Sequence, residues 1–143
     1  MGRLTASLLL LLGTVSMGVS GLACAAEAVG PFDGTWDTIL TCPDSHGALG
    51  FVFHFPSVVK DGLLHGEKGQ KDHAGWFQLE GRIQADGSAS LLADGLVGAA
   101  SFAVGQRPAG SAYSFHVTGR FSDASGTGTR VEGRPCSVSF SRR

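Results

Sequence analysis

From Gly34 onward the chain is written in a period of two. Short runs alternate apolar with polar residues, and no stretch of useful length repeats at the helical period. Such alternation sends successive side chains to opposite faces of a β-strand. In Gly50–Phe55, Phe51, Phe53 and Phe55 share one face while Val52 and His54 share the other. In Trp76–Ile83, Phe77, Leu79 and Ile83 oppose Trp76, Gln78, Glu80 and Arg82. Tyr113, Phe115, Val117 and Phe121 oppose Ser114, His116, Thr118 and Arg120, and Cys136, Val138 and Phe140 oppose three serines. One apolar and one wettable face per strand describes an antiparallel sheet with one side in water. An outer-membrane barrel needs the reverse arrangement, apolar outside and polar inside, so the pattern argues against one.

The same reading predicts further strands over Gly34–Cys42, Leu63–Gly66, Ser88–Leu92, Leu96–Gly105, Ser111–Phe121, Gly126–Val131 and Cys136–Ser141. Asp61-Gly62, Asp86-Gly87 and Asp94-Gly95 stand between runs at hairpin-like spacings. Asp-Gly tolerates the positive φ angles of tight hairpin turns, which makes it a strong hairpin signal. The 22 glycines suit a chain of many turns and bent strands. Eight or nine strands with hairpin links read as an up-and-down barrel or a sandwich.

Residues 1–26 have the layout of a secretory signal: Arg3, then Leu8–Leu12, then the small-residue segment Gly21-Leu-Ala-Cys-Ala-Ala26 before Glu27. A membrane anchor fits less well. Gly13, Ser16, Gly18, Ser20 and Gly21 interrupt the apolar run, and no basic stop-transfer flank follows. Gly21-Leu-Ala-Cys24 loosely resembles a lipobox, but its Leu sits one position late and lipidation is not expected. Cleavage would leave a single domain over 27–143, located in the periplasm or outside the cell. The 11 basic side chains less Arg3 leave 10 against 12 acidic, a net charge of −2. With no basic block or stripe, the electrostatic footprint of nucleic-acid binding is missing.

Two cysteines then remain, Cys42 and Cys136, and an even pair in an exported chain reads as a disulfide. Both lie in the core phase of their strands, Cys42 together with Trp36 and Leu40. If the first and last strands pair antiparallel with the cysteines opposed, the register follows. Leu40 falls opposite Val138, Thr38 opposite Phe140 and Trp36 opposite Arg142. Such pairing closes a barrel and removes its open edges, and it puts a guanidinium where it can gain cation–π attraction from an indole.

Gly34-Thr-Trp36 on a first strand, with a basic residue near the end of the last, resembles the G-x-W signature of the calycin superfamily. That grouping includes lipocalins, avidins and secreted bacterial metalloprotease inhibitors. The resemblance implies a calycin-like all-β barrel of about eight strands in which Trp36 plugs one end and Arg142 packs across it. The wider layout, FDGTW…C…DG…SGTGT…C, is similar to small secreted proteins of proteobacteria that bring no known activity.

No catalytic signature emerges. The histidines (His46, His54, His65, His73 and His116) show no metal-ligand spacing. Acidic residues are scattered singly rather than paired for glycosidase-like chemistry, and Gly126-Thr-Gly128 lacks the context and Lys of a phosphate loop. The expectation is therefore a non-catalytic binding module without cofactor or metal. A protein-interaction or inhibitor-like role is preferred, with Glu27–Pro31 reaching a partner's cleft as in the secreted inhibitors and Trp76 as an aromatic anchor. An alternative for Trp76 is an edge-strand indole folded back over the barrel end. The alternative role is that of a small apolar ligand carrier of lipocalin type. Against the latter, the inward phase is crowded with Phe51, Phe53, Phe55, Phe77, Phe102, Tyr113, Phe115, Phe121 and Phe140, which predicts a filled interior. An apolar interior cavity of ~300 Å³ or more would favour the carrier.

Overall fold

The computed structural model describes residues 30–143; the expected cleavage site and Cys24 lie outside them. Eight antiparallel strands close into a barrel in chain order: β1 (Gly34–Cys42), β2 (Phe51–Lys60), β3 (Leu63–Lys68), β4 (Phe77–Ile83), β5 (Ser88–Leu96), β6 (Ala112–Phe121), β7 (Ser125–Arg130) and β8 (Ser137–Arg142). β1 pairs with β8 with Trp36 opposite Arg142, Thr38 opposite Phe140 and Leu40 opposite Val138. This is the register that opposed cysteines require, and Cys42 and Cys136 are disulfide-bonded with their Cα atoms 4.2 Å apart. Inward positions carry the apolar residues. Trp36, Leu40, Leu64, Phe77, Leu79, Leu91, Val117 and Phe140 are all buried.

The Asp61-Gly62 hairpin forms between β2 and β3, with both residues at positive φ (53° and 74°). Asp86-Gly87 likewise turns β4 into β5, with Gly87 N–H donating to the Gln84 carbonyl at 2.9 Å. Asp94-Gly95 does not turn. β5 runs straight through it, pairing Asp94 with Gln78 and Ser114 and Gly95 with Phe77 and Tyr113. The glycine is needed there for close approach, since a Cβ would lie 2.4 Å from Cζ and Oη of Tyr113. The expected strand Leu96–Gly105 is corrected with it. Leu96 ends β5, and the chain then enters a loop holding one short 3₁₀ turn, Ala100–Phe102. Phe102 is consequently 41% exposed and not a core residue. β2 extends past Pro56 to Lys60, which proline permits because β3 pairs with β2 only from Ser57 onward.

The end of the barrel holding Trp36 is sealed. Trp36 is fully buried, its Nε1–H donates to the Phe32 carbonyl at 3.0 Å, and Phe121 meets its ring edge-on at 5.3 Å. The Arg142 guanidinium lies 4.7 Å from the indole centroid. It also donates to three carbonyls, those of Asp123 (2.6 Å), Asp33 (2.8 Å) and Pro31 (2.7 Å), and so holds the entering chain across the end.

Asp33 adds a second tie, accepting from the backbone N–H groups of Gly30, Asp61 and Gly62. The Gly62 bond leads in holding its carboxyl below the usual carboxylate range, with smaller help from Asp61, Gly30 and the charge of Arg142. A carboxyl depressed in the folded state stabilises above its unfolded pKa, and the contribution fades as pH falls through the folded value. Asp33→Asn is therefore expected to lower the urea midpoint at pH 7, with the gap to the parent narrowing toward pH 3. A gap that stays constant over that range would show that the charge of Asp33 contributes nothing.

Candidate functional site

The interior is filled at the Trp36 end and open at the other. β3 and β7 are short: β2 has no β3 partner over residues 51–56, and β6 meets β7 only from Val117. Phe51 and Phe53 at the start of β2 pair only with β1, and Tyr113 at the start of β6 only with β5, and all three are only partly buried. Between them lies a cavity of about 490 Å³ that opens to solvent. The expectation of a barrel filled throughout is corrected here, because aromatic rings pointing inward near the rim line a space instead of closing it.

Most of the cavity wall is apolar. Phe51, Phe53 and Phe115 come from β2 and β6, and Leu96, Val97, Ala99, Phe102, Ala103 and Val104 from the end of β5 and the following loop. The wall's charged members are Lys68, Arg107, Arg130 and Arg134, with no Asp or Glu among its residues. Three of these cations lie over rings of the same wall: Lys68 Nζ is 4.7 Å from the Phe53 centroid, Arg130 4.1 Å from Phe115 and Arg134 5.3 Å from Phe51. Burial pushes the Tyr113 hydroxyl up to about 12 against the opposing charge of Arg130, so it stays protonated at neutral pH.

Arg134 is a structural counterpart of Arg142. It is buried, and its guanidinium donates to the carbonyls of Phe102 (2.9 Å), Leu49 (2.9 Å) and Pro43. It thereby ties three loops together at the open end, and the Leu49 N–H adds a bond to the Ser101 carbonyl at 2.8 Å. Its Nε is the one buried side-chain polar atom among the described residues without a partner.

The residues singled out from the sequence fall into three places. Trp36 and Arg142 meet at the sealed end, whereas the Cys42–Cys136 bridge sits toward the open end, with Arg130 Nη1 3.9 Å from the Cys136 Sγ. Trp76 precedes β4, is half-buried, and donates its Nε1–H to Glu67 Oε1 at 2.5 Å. The histidines stay apart. His65 lies between Glu67 (3.8 Å) and Glu80 (3.6 Å), and His116 pairs with Glu132. Among the described residues no three His, Cys, Asp or Glu side chains gather as a metal site.

Sequence reasoning missed the cationic lining. The signal was present, because Arg130 shares the inward phase of Gly126 and Gly128, and Arg134 stands two residues before the inward Cys136. A scan of the chain against protein-family models gave no match, and searches of curated proteins and of solved structures returned no similar one.

Proposed function

We propose that the protein is an exported, non-catalytic binding module that takes a small, largely apolar ligand into the open end of its barrel. The cavity carries this reading: about 490 Å³ lies within the range of sites that enclose small molecules, and its wall combines aromatic and aliphatic surface with a few polar groups. The barrel and its disulfide supply a rigid frame of the kind that keeps such a site formed before the ligand arrives. A bridged cysteine pair is compatible with an oxidising compartment. Among the described residues no helix is long and apolar enough to cross a membrane. A protein partner has less support. Pro31, at the end of the segment expected to reach it, is held across the sealed end by Arg142, and the indole N–H of Trp76 is engaged by Glu67; Glu27–Val29 lie outside the described residues.

The neutral fluorophore N-phenyl-1-naphthylamine tests the reading directly. Titration is expected to give saturable enhancement with one probe per chain. Ala103→Trp, which adds bulk to the cavity wall, should weaken binding by at least about ten-fold, the effect of losing well-packed apolar contact. Enhancement that never saturates, or that ignores Ala103→Trp, would remove the ligand-binding reading.

A further inference from the structure

Resting on that reading, we infer that the ligand is an anionic amphiphile whose apolar body fills the cavity and whose acidic head pairs with Arg130. The charge imbalance of the wall is the first observation. Lys68, Arg107, Arg130 and Arg134 line it, no carboxylate does, and none of the four has a carboxylate oxygen within 4 Å among the described residues. Arg134 is buried, Arg130 and Lys68 are half-buried and Arg107 is exposed; a cation partly withdrawn from water with no carboxylate in direct contact gains from an anion.

The four are not equivalent. Arg134 is occupied by the carbonyls of Pro43, Leu49 and Phe102, and Arg107 donates to the Ala112 carbonyl. Lys68 stands over Phe53. Arg130 is held in place by Phe115 beneath it and by an Nε bond to the Glu132 carbonyl. Its remaining contact is a long one, Nη1 to the Cys136 sulfur at 3.9 Å, which leaves the outer edge of the guanidinium without an oxygen acceptor. That edge is the part that binds a carboxylate or sulfonate through two parallel N–H groups.

The nearest acid in sequence is kept away from it. The Glu132 carboxylate accepts from the His116 backbone N–H at 2.8 Å and contacts His116 Nδ1 at 2.5 Å, on the outer face of β6. Those bonds hold its carboxyl below the usual range, the His116 side chain contributing most. Glu132 is thus ionised and bonded to His116; its charge still reaches Arg130 through space, but no carboxylate oxygen contacts the guanidinium.

Two probes with one body separate head from body. 1-Anilinonaphthalene-8-sulfonate carries the same ring system as N-phenyl-1-naphthylamine plus a sulfonate. The parent protein is expected to bind the sulfonate at least about ten-fold more tightly, the usual gain from a charge-assisted pair. Arg130→Met should bring the ratio of the two affinities down to about one, whatever the neutral probe's own affinity becomes, and Arg130→Lys should restore part of the preference; the urea midpoint of each variant reports that it is folded. Dodecanoate should displace the neutral probe well below the concentration at which dodecanol does. Equal affinity for the two probes in the parent would overturn the charge assignment and leave the ligand-binding reading standing. A ratio that stays at the parent's value in Arg130→Met would overturn it too. Failure of both probes on the parent would remove the two proposals together.

Discussion

Replacing Cys42 and Cys136 together by alanine is expected to lower the unfolding free energy by about 4 kcal/mol. The bridge joins residues 94 apart in sequence. Constraining a loop of that length removes enough freedom from the unfolded chain to give roughly 4–5 kcal/mol in the chain-entropy model. Set against the 5–15 kcal/mol typical of whole domains, that is a large share. The bridge also lies at the closing seam, where six residue pairs join β1 to β8. Guanidinium unfolding of the double variant, with and without a reductant, is the measurement. The variant should unfold early under both conditions, and reductant should bring the parent down to meet it. In hydrogen exchange the amides of the β1–β8 seam should gain most. A shift below about 1 kcal/mol would mean that the reduced chain already keeps the two strands together.

Trp36→Ala should cost about as much, roughly 3–5 kcal/mol, the range for deleting a buried aromatic side chain. Three contacts vanish at once: the edge-on packing with Phe121, the bond to the Phe32 carbonyl, and the indole beneath Arg142. Arg142 keeps its three carbonyl partners, so the entering chain should stay attached while the end of the barrel loses its filling. Trp36→Phe retains a ring and should cost markedly less. The chain has two tryptophans, so the emission that remains in Trp36→Ala comes from half-buried Trp76 and should lie to the red of the parent spectrum. Because the cavity is at the opposite end, affinity for N-phenyl-1-naphthylamine should be unaffected under conditions where the variant is folded. A matching loss of binding would show that the two ends are coupled.

The closing register was legible in the sequence because it rests on two things the residues state plainly. Period-two alternation says which way Trp36, Leu40, Cys42, Val138 and Phe140 point, and a cysteine pair in the same phase fixes the offset. Strand ends were less legible. Asp94-Gly95 carries a strong local turn signal, yet it sits between β4 and β6, where ladder bonds on both sides and the ring of Tyr113 make a straight glycine more favourable. Local preference lost to tertiary pairing there, as it regularly does in sheets.

The cavity was hidden for a related reason. Alternation shows that Phe51, Phe53 and Tyr113 face inward, but it says nothing about whether a side chain comes to meet them. That depends on where β3 and β7 stop. The Arg130 site needed the same knowledge, since an inward arginine is intelligible only once its surroundings are known to be open.

The way Arg134 holds the open end has a consequence for how such a protein can change over generations. Its grip on Pro43, Leu49 and Phe102 is entirely on main-chain oxygens, which every amino acid possesses. Leu49 is 51% exposed and Phe102, at the cavity mouth, 41%. Substitutions at these two positions can therefore recast the lip of the barrel while the anchor beneath them is untouched. The rim is free to diversify because its fastening does not read the letters it fastens.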